Sequence, residues 1–277
     1  MQNSLDINDQ EFRLIRTLVY DRFGINLTDQ KRSLVVGRLR KLLRDEGFGS
    51  FKDYYQAVVN DRGGAALDKL VNRISTNYTY FNREQAHFDF FTRTALPPLI
   101  EGARRCNERD LRIWSAGCSS GEEPYMLAML TMEHLGPEYN AWSAGVLATD
   151  ISDQALSRAR QGIYDDDQVS RIPAAIKHKY FSRLANGDWR VGEQLKSQVT
   201  FRRFNLMNRQ FPFRRPFQVI FCRNVMIYFD AETRCSLVRR YYQHLEPGGY
   251  LFIGHSETLG RQQEDFEYVM PAVYRRR

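Results

Sequence analysis

No apolar run in this sequence approaches the roughly 18 to 20 residues that a membrane-spanning helix needs. The first ten residues, Met1 to Gln10, are polar; neither a secretory leader nor a membrane anchor is expected, and the chain is read as cytoplasmic. Cysteine is scarce: Cys106, Cys118, Cys222 and Cys235 include no C-x-x-C pair and no histidine at ligand spacing. That argues against zinc and dithiol chemistry, and no metal is expected. Cys118 and Cys222 end apolar runs and are read as small buried hydrophobes, with contact to a passing ligand as the alternative. The G-x-G-x-x-G of dinucleotide enzymes is missing, as are internal repeats and low-complexity tracts. Charge of one sign is only mildly in excess. Forty Lys and Arg against 33 Asp and Glu in 277 residues leave +7, too little for a nucleic-acid tail but enough to favour anionic partners. Acidic protein, membrane surface and RNA all remain compatible with it.

What is present divides into two rhythms. From Leu5 to about Ser75 the apolar residues recur at helical spacing: Phe12, Ile15, Leu18 and Val19, then Leu34, Val35, Leu39, Leu42 and Leu43 from Asp29 onward. Gly47 and Gly49, then Gly63 and Gly64, punctuate two further helices, the last over Leu67 to Ile74. From about Leu111 short strand-like runs alternate with helical stretches: Leu111 to Ala116, Ala144 to Thr149, Val199 to Phe204, Phe217 to Cys222 and Tyr250 to Gly254. The interleaved helices are expected at Glu123 to His134, Gln154 to Gln161 and Ala231 to His244, the last closed by Pro247-Gly248-Gly249. Such alternation predicts a parallel sheet covered by helices on both faces. Phe266 to Tyr274, carrying one proline, reads as an edge strand. A boundary is expected between Ile74 and Ala95, where no clean period is visible.

Three places carry candidate chemistry. After the strand Arg112 to Ala116 come the small residues Gly117-Cys118-Ser119-Ser120-Gly121, then Glu122-Glu123-Pro124-Tyr125 opening a helix. Small residues let a ligand approach backbone. The two carboxylates disfavour a pyrophosphate and suit a cationic group, although acidic residues in a first helical turn are also good capping chemistry. The next strand ends at Asp150, placed to accept hydrogen bonds from ribose hydroxyls or, alternatively, to cap the following helix. The run Phe217 to Cys222 leads into Arg223-Asn224-Val225-Met226-Ile227-Tyr228-Phe229, which puts polar groups at the carboxyl edge of the sheet.

The strings Ser75-Thr76-Asn77-Tyr78-Thr79-Tyr80-Phe81-Asn82-Arg83-Glu84, Trp114 to Tyr125, Ala148-Thr149-Asp150-Ile151, Phe221 to Phe229 and Gly254-His255-Ser256-Glu257 closely resemble the bacterial chemotaxis-receptor glutamate methyltransferases, the CheR type. The resemblance covers nearly the whole chain. It implies an α/β protein: a Rossmann-like class I methyltransferase sheet, a small all-α N-terminal domain over 1–75, a linker over 76–94, and a catalytic domain over 95–277 with a small antiparallel β-subdomain at about 163–195. It further implies S-adenosyl-L-methionine as cofactor, with S-adenosyl-L-homocysteine as its product. Receptor glutamate methyl esters would be formed, and a methylesterase would oppose them. By the same resemblance Asn77, Thr79, Arg83, Gly117 and Glu123 approach the cofactor, Asp150 holds its ribose, Asn205 and Leu206 flank the adenine, and Arg223 and Asn224 complete the pocket. Arg83 and Tyr228 are implied to position the acceptor carboxylate.

Arg38, Lys41 and Arg44 share one helical face. A basic stripe is commonly just solvated surface, but in a family with an acidic helical-bundle substrate it is read as substrate-steering. The stretch Lys179 to Val191 has a shorter turn, with only Gly187, than family members that capture a receptor C-terminal pentapeptide by strand addition, so direct recognition of the methylated region is expected. His87, His134, His178 and His244 are read as surface or helix-end residues, and His255, at a strand tip, as able to shape the site. Two rival functions stay open: an RNA methyltransferase of the same fold, suggested by the +7 charge and the Tyr274-Arg275-Arg276-Arg277 end, and a catalytically silent cofactor-binding regulator.

Overall fold

The computed structural model describes residues 5–75, 77–260 and 265–277; Thr76 of the first string above lies outside them. The described residues divide into two compact units. One holds the chain up to Ser75 together with Tyr228–Thr233, the other runs from Asn77 to Ile227 and resumes at Arg234.

The first unit is all-helical: α1 (Asp9–Phe23), a short 3-10 turn (Asp29–Lys31), α2 (Arg32–Asp45), α3 (Phe51–Asn60) and α4 (Ala65–Ile74). Asn8 and Glu11 form a reciprocal capping box at the start of α1, and Gly24 ends it in the left-handed region at φ 69°. Phe12, Ile15, Val35, Leu39, Phe51 and Val71 from the four helices are buried together. The Tyr228–Thr233 segment belongs here by its bonds: the Asn26 N–H donates to the Tyr228 carbonyl at 2.8 Å, and the Tyr20 hydroxyl donates to Asp230 at 2.6 Å.

Along the rest of the chain follow α5 (Gln85–Phe90), a π-helical segment (Phe91–Ala95), α6 (Leu96–Arg105), β1 (Asp110–Ala116), α7 (Glu122–Leu135), β2 (Ser143–Asp150) and α8 (Asp153–Gln161). Next come β3 (Ile163–Tyr164), α9 (Asp166–Val169), α10 (Ala174–Tyr180), β4 (Phe181–Arg183), β5 (Trp189–Val191), α11 (Glu193–Lys196) and β6 (Val199–Arg203). The chain closes with β7 (Phe217–Cys222), α12 (Ala231–His244), β8 (Leu245–Ile253), β9 (Phe266–Met270) and β10 (Val273–Arg276). Seven strands form one sheet in the order β6-β2-β1-β7-β8-β10-β9, and β3, β5 and β4 form a separate three-stranded antiparallel sheet. The five strands from β6 to β8 are parallel, and the β9–β10 hairpin adds antiparallel to β8. From β1 the chain winds one way through β2 to β6 and then the other way from β7, so the switch point lies at the carboxyl ends of β1 and β7, where open α/β sheets bind ligands.

Three readings from sequence need correction. The region in which no clean period is visible holds α5 and the π-helical segment. Pro97 and Pro98 follow that segment without N–H groups, and the widened turn that accommodates them shifts the chain out of the 3.6-residue period. Helix α12 ends at His244 and β8 begins at once, so Pro247-Gly248-Gly249 lies inside a strand. The terminal edge strand is two strands, with Pro271-Ala272 as the turn between them and Ala272 at φ 63°.

Aromatic side chains pack among the aliphatic ones on the sheet. Phe221 and Phe252, register partners on β7 and β8, stack at 4.1 Å between centroids. Trp114 on β1 is fully buried, and its indole N–H donates to the Thr149 hydroxyl at 2.9 Å. The near-isosteric Thr149→Val would leave that N–H buried without its acceptor, a cost of about 1 to 3 kcal/mol. Thermal unfolding should show a lower Tm, and an unchanged Tm would show that the bond contributes nothing.

Candidate active site

Strand β7 ends at Cys222, and the next side chain, Arg223, turns into the protein with only 2% of it exposed. Its guanidinium donates to Glu84 at 3.1 and 3.3 Å and to Glu123 at 3.0 Å. It also donates to the Arg83 carbonyl. Glu123, in the first turn of α7, accepts a further bond from the Ser115 hydroxyl of β1 at 2.7 Å. Glu84 accepts at its other oxygen from the Asn224 amide and the His255 N–H, both at 3.3 Å. Burial alone would push the Glu84 carboxyl up, but Arg223 and these donors hold it below the usual carboxylate range. For Glu123 burial wins, and its pKa is raised despite Arg223.

A second carboxylate fixes the loop after β7. Glu257 accepts from the backbone N–H groups of Asn224 and Ile227, each at 3.0 Å, and of Gly254 at 2.5 Å. Asn224 is thereby held in the left-handed region at φ 59°. The loop presses against the first turn so closely that a Cβ on Gly117, at φ +91°, would lie 2.3 Å from Val225 Cγ2. Gly117 and Cys118 donate their N–H groups to the Thr149 carbonyl at 2.7 and 2.9 Å.

Asp150 ends β2 as a buried carboxylate accepting from Ser119 N–H at 2.8 Å and Ser152 N–H at 2.9 Å. Burial pushes its pKa up. The cap of α8 is the Ser152 hydroxyl, which accepts from Ala155 N–H, so that helix does not need Asp150 for the purpose. Phe204 N–H donates to the Asp150 carbonyl at 3.0 Å, bringing Asn205 and the buried Leu206 alongside. The Asn205 side chain accepts from Met207 N–H at 2.9 Å. Asn77 is drawn to the same turn by the Ser119 hydroxyl, which donates to its carbonyl at 3.2 Å. Thr79 is half-buried two residues on.

The expected cofactor residues Asn77, Gly117, Glu123, Asp150, Asn205, Leu206, Arg223 and Asn224 therefore join one hydrogen-bonded neighbourhood at the sheet's switch point. Arg83 joins it through its carbonyl, while its guanidinium turns the other way and donates to the Tyr78 carbonyl at 2.7 Å. Tyr228 lies in the first unit, with the Lys31 ammonium 5.8 Å from its ring centroid. So do Arg38, Lys41 and Arg44 on α2. Lys41 and Arg44 are exposed, whereas Arg38 is half-buried and donates to the Ile74 carbonyl at the end of α4.

The two carboxylates of the first turn part company. Glu122 is fully buried and accepts from the Ser120 hydroxyl at 2.8 and 2.9 Å, a local arrangement, while Glu123 reaches Arg223. Glu84, Glu257 and Ser115 had no role assigned from sequence. All three stand inside the quoted strings, but nothing local marks a side chain such as that of Glu84, whose partner is 139 positions away. His87, read as surface, is fully buried, with its ring 4.5 Å from that of the exposed His255. Glu84, His87 and His255 offer three ligand atoms within 4.8 Å of one another. The Arg223 guanidinium already occupies Glu84, and its charge opposes a cation there. Cys118 and Cys222 are buried thiols whose pKa values burial pushes up, so neither is an activated nucleophile.

Two family models match this chain: "CheR methyltransferase, all-alpha domain" over residues 10–75 and "CheR methyltransferase, SAM binding domain" over residues 77–274. The chain belongs to the CheR methyltransferase family. Relatives include the chemotaxis protein methyltransferase of Borreliella burgdorferi, 44% identical over 99% of this chain and 98% of that protein. That of Escherichia coli is 37% identical over 99% of this chain and 93% of its own length. Pseudomonas aeruginosa chemotaxis protein methyltransferase 2 is 38% identical over 96% and 92%. Among solved structures, the glycopeptide N-methyltransferase MtfA complexed with sinefungin aligns with 57% of this chain and 49% of its own, at 16% identity and a TM-score of 0.32. As a CheR-family protein, this chain is an S-adenosylmethionine-dependent methyltransferase of chemotaxis.

The residues present fit that cofactor. Among the described residues Asp150 is buried without a cationic partner, and each of its oxygens accepts one backbone N–H, which leaves acceptor capacity for hydroxyl donors such as those of a ribose. Around Arg223 the carboxylates outnumber the guanidinium, which suits a cationic ligand and not a pyrophosphate.

His87 supplies a test of the site's electrostatics. Burial first, then Arg223, holds its pKa below the usual 6.5, so the folded protein keeps the ring neutral. The unfolded chain binds this proton as pH falls through about 6.5, before the folded one does, and the neutral ring's contribution is lost in that window. Chemical denaturation between pH 7.5 and 5 should give a wild-type stability that falls by up to about 1.4 kcal/mol per pH unit more than that of His87→Phe. Equal slopes would show that His87 is not held neutral.

Proposed function

We propose that this protein transfers the methyl group of S-adenosylmethionine to glutamate side-chain carboxylates in the cytoplasmic helical bundle of chemoreceptors, forming glutamate methyl esters. The observation that carries this reading is the commitment of Glu84, Glu123 and Glu257 to Arg223 and backbone donors, which leaves none of these three as a free general base. An acceptor that is already anionic needs none, since a glutamate with a pKa near 4.3 is ionised at neutral pH. The cofactor supplies an electrophilic methyl group on a sulfonium centre. The protein's share is orientation and exclusion of water, each worth several kcal/mol in favourable cases.

In this reading Asp150 takes the ribose hydroxyls, Asn205 and Leu206 flank the adenine, and Asn77, Thr79, Gly117, Glu123, Arg223 and Asn224 shape the remaining pocket. Arg83 and Tyr228 position the acceptor carboxylate. Lys41 and Arg44 steer the acidic substrate, and Arg38 contributes charge while also tying down α4. The β4–β5 turn over 184–188 is closed tightly by Leu184 N–H to the Asp188 carbonyl at 2.7 Å. That short turn supports recognition without a receptor C-terminal pentapeptide. The protein would act in the cytoplasm, and a methylesterase must oppose it if the esters are to be reversible signals.

The basic C-terminal end gives little support to an RNA substrate. It forms β10, with Arg275 donating to the Gly248 carbonyl at 3.2 Å and Arg276 to that of Leu245.

Purified protein, methyl-labelled S-adenosylmethionine and receptor-containing membranes test the reading. Label on receptor that leaves as methanol in alkali is expected. Alkali-stable label, or label in RNA, would discard the acceptor. The double variant Lys41→Glu, Arg44→Glu should raise the KM for receptor by about tenfold at low salt and less at high salt. A KM that does not move would return the stripe to ordinary surface.

A further inference from the structure

Phe81 is fully buried, its ring 4.8 Å from that of Tyr164 and 5.7 Å from that of Phe181, so the chain around it is pinned to the three-stranded sheet. That anchor fixes what its neighbours present. Tyr78 is 70% exposed and packs edge-on against Tyr80 at 5.8 Å. The Arg171 guanidinium, from the turn between α9 and α10, lies 4.0 Å from the Tyr80 ring centroid. The Arg83 guanidinium approaches the same ring at 6.0 Å and that of Tyr78 at 5.9 Å. Two guanidiniums thus share one aromatic platform, and among the described residues neither has a carboxylate within ion-pair distance.

Like charges gathered without a counter-charge are unfavourable unless something holds them there. Here the tyrosine faces, the Tyr78 carbonyl and the Phe81 anchor do so. A guanidinium stacked on a ring keeps its N–H edge free and has already given up much of its side-chain freedom, so it loses less on binding a carboxylate. Tyr78 follows Asn77, which the Ser119 hydroxyl holds to the first turn, so the platform borders the cofactor neighbourhood.

We propose that Arg171, stacked on Tyr80, and Arg83, at the edge of the same aromatic pair, form an anion-receiving rim for the target glutamate and the acidic residues flanking it on a helical substrate segment. This deepens the glutamate methyltransferase reading and rests on it for the identity of the partner. Arg171 is then a specificity-determining residue that the three-stranded sheet's insertion contributes. Arg83 holds Arg223 through its carbonyl and presents its guanidinium beside Arg171, so that the target carboxylate it positions lies next to the acidic neighbours that Arg171 receives.

The test measures binding separately from methyl transfer. A fluorescent Glu-rich helical peptide, titrated at low salt against full-length protein, should bind the wild type. Arg171→Ala should bind it about fivefold more weakly and Arg171→Glu at least tenfold more weakly, with the difference shrinking in high salt. Arg171→Lys should fall between wild type and Arg171→Ala, because charge remains while stacking is reduced. S-adenosylmethionine affinity, measured alongside, should match wild type in all three and reports that the fold is intact. Equal peptide affinity in wild type and Arg171→Ala, or no peptide binding by wild type, overturns the rim. If the peptide binds through Arg171 while receptor membranes acquire no base-labile label, the rim stands and the acceptor assignment falls.

Discussion

Arg223 carries a full positive charge into a place where 2% of its side chain meets solvent, and burying such a group alone would cost many kcal/mol. Glu84 and Glu123 offset that cost from two different segments, one preceding α5 and the other opening α7. A buried ion pair is weak evidence for stability, because desolvation consumes much of what Coulomb attraction returns. Its effect here is positional. Removing either carboxylate would leave Arg223 under-compensated, so both segments are held to the end of β7. The arrangement also leaves more negative charge than positive around the sheet's switch point once Asp150 is included. In a medium that screens poorly, that surplus favours a cationic ligand, as a sulfonium cofactor is.

The same neighbourhood concentrates backbone strain. Asn82, Glu84, Ser119 and Asn224 all have φ between 49° and 60°, a region costly for residues bearing a Cβ. Three of the four are held by bonds already in place. The carboxylate of Glu84 is held on three sides, Ser119 donates to Asp150, and Asn224 donates to Glu257. Strain of this kind persists only where surrounding contacts exceed it, and here those contacts are largely the buried carboxylates. Glu257 is the clearest case: three backbone donors converge on it, so its negative charge is spent on shaping the loop that carries Asn224.

Periodicity in the sequence predicted the four helices of the first unit because each has one buried stripe and a clear stop. It also predicted the five parallel strands, since those strands are apolar runs bounded by turn residues. It failed where the period itself changes. The π-helical Phe91–Ala95 segment adds a residue to the turn, and α12 passes into β8 with no intervening loop, so the break suggested by Pro247-Gly248-Gly249 falls inside the strand. Within the candidate site, Gly117, Glu123, Asp150, Arg223 and Asn224 could be singled out in the sequence because they stand at strand ends in specific strings. Glu84 and Glu257 stood in such strings too, but their function lies in what they reach. A left-handed glutamate looks like any other in sequence, and its partner is set by the order of strands in the sheet. His87 was misread for a related reason: on a short helix beside a π segment, no apolar stripe marks its face as the inner one.

Charge of opposite sign is kept apart in this unit by very little chain. Arg83 lends its carbonyl to the acidic interior through Arg223 and turns its guanidinium outward to the tyrosines. An interior with surplus carboxylates repels an anionic acceptor as strongly as it attracts a cationic cofactor, since both effects come from the same field. For the glutamate acceptor proposed above, that interior alone supplies no attraction. Attraction has to be supplied where the field changes sign, and Arg83 and Arg171 on Tyr80 stand at such a place, anchored by Phe81 instead of by counter-charges. Had a carboxylate neutralised either guanidinium, the rim would be more comfortable electrostatically and useless for receiving an acid. The absence of such a partner among the described residues is what makes the stacking on Tyr80 informative.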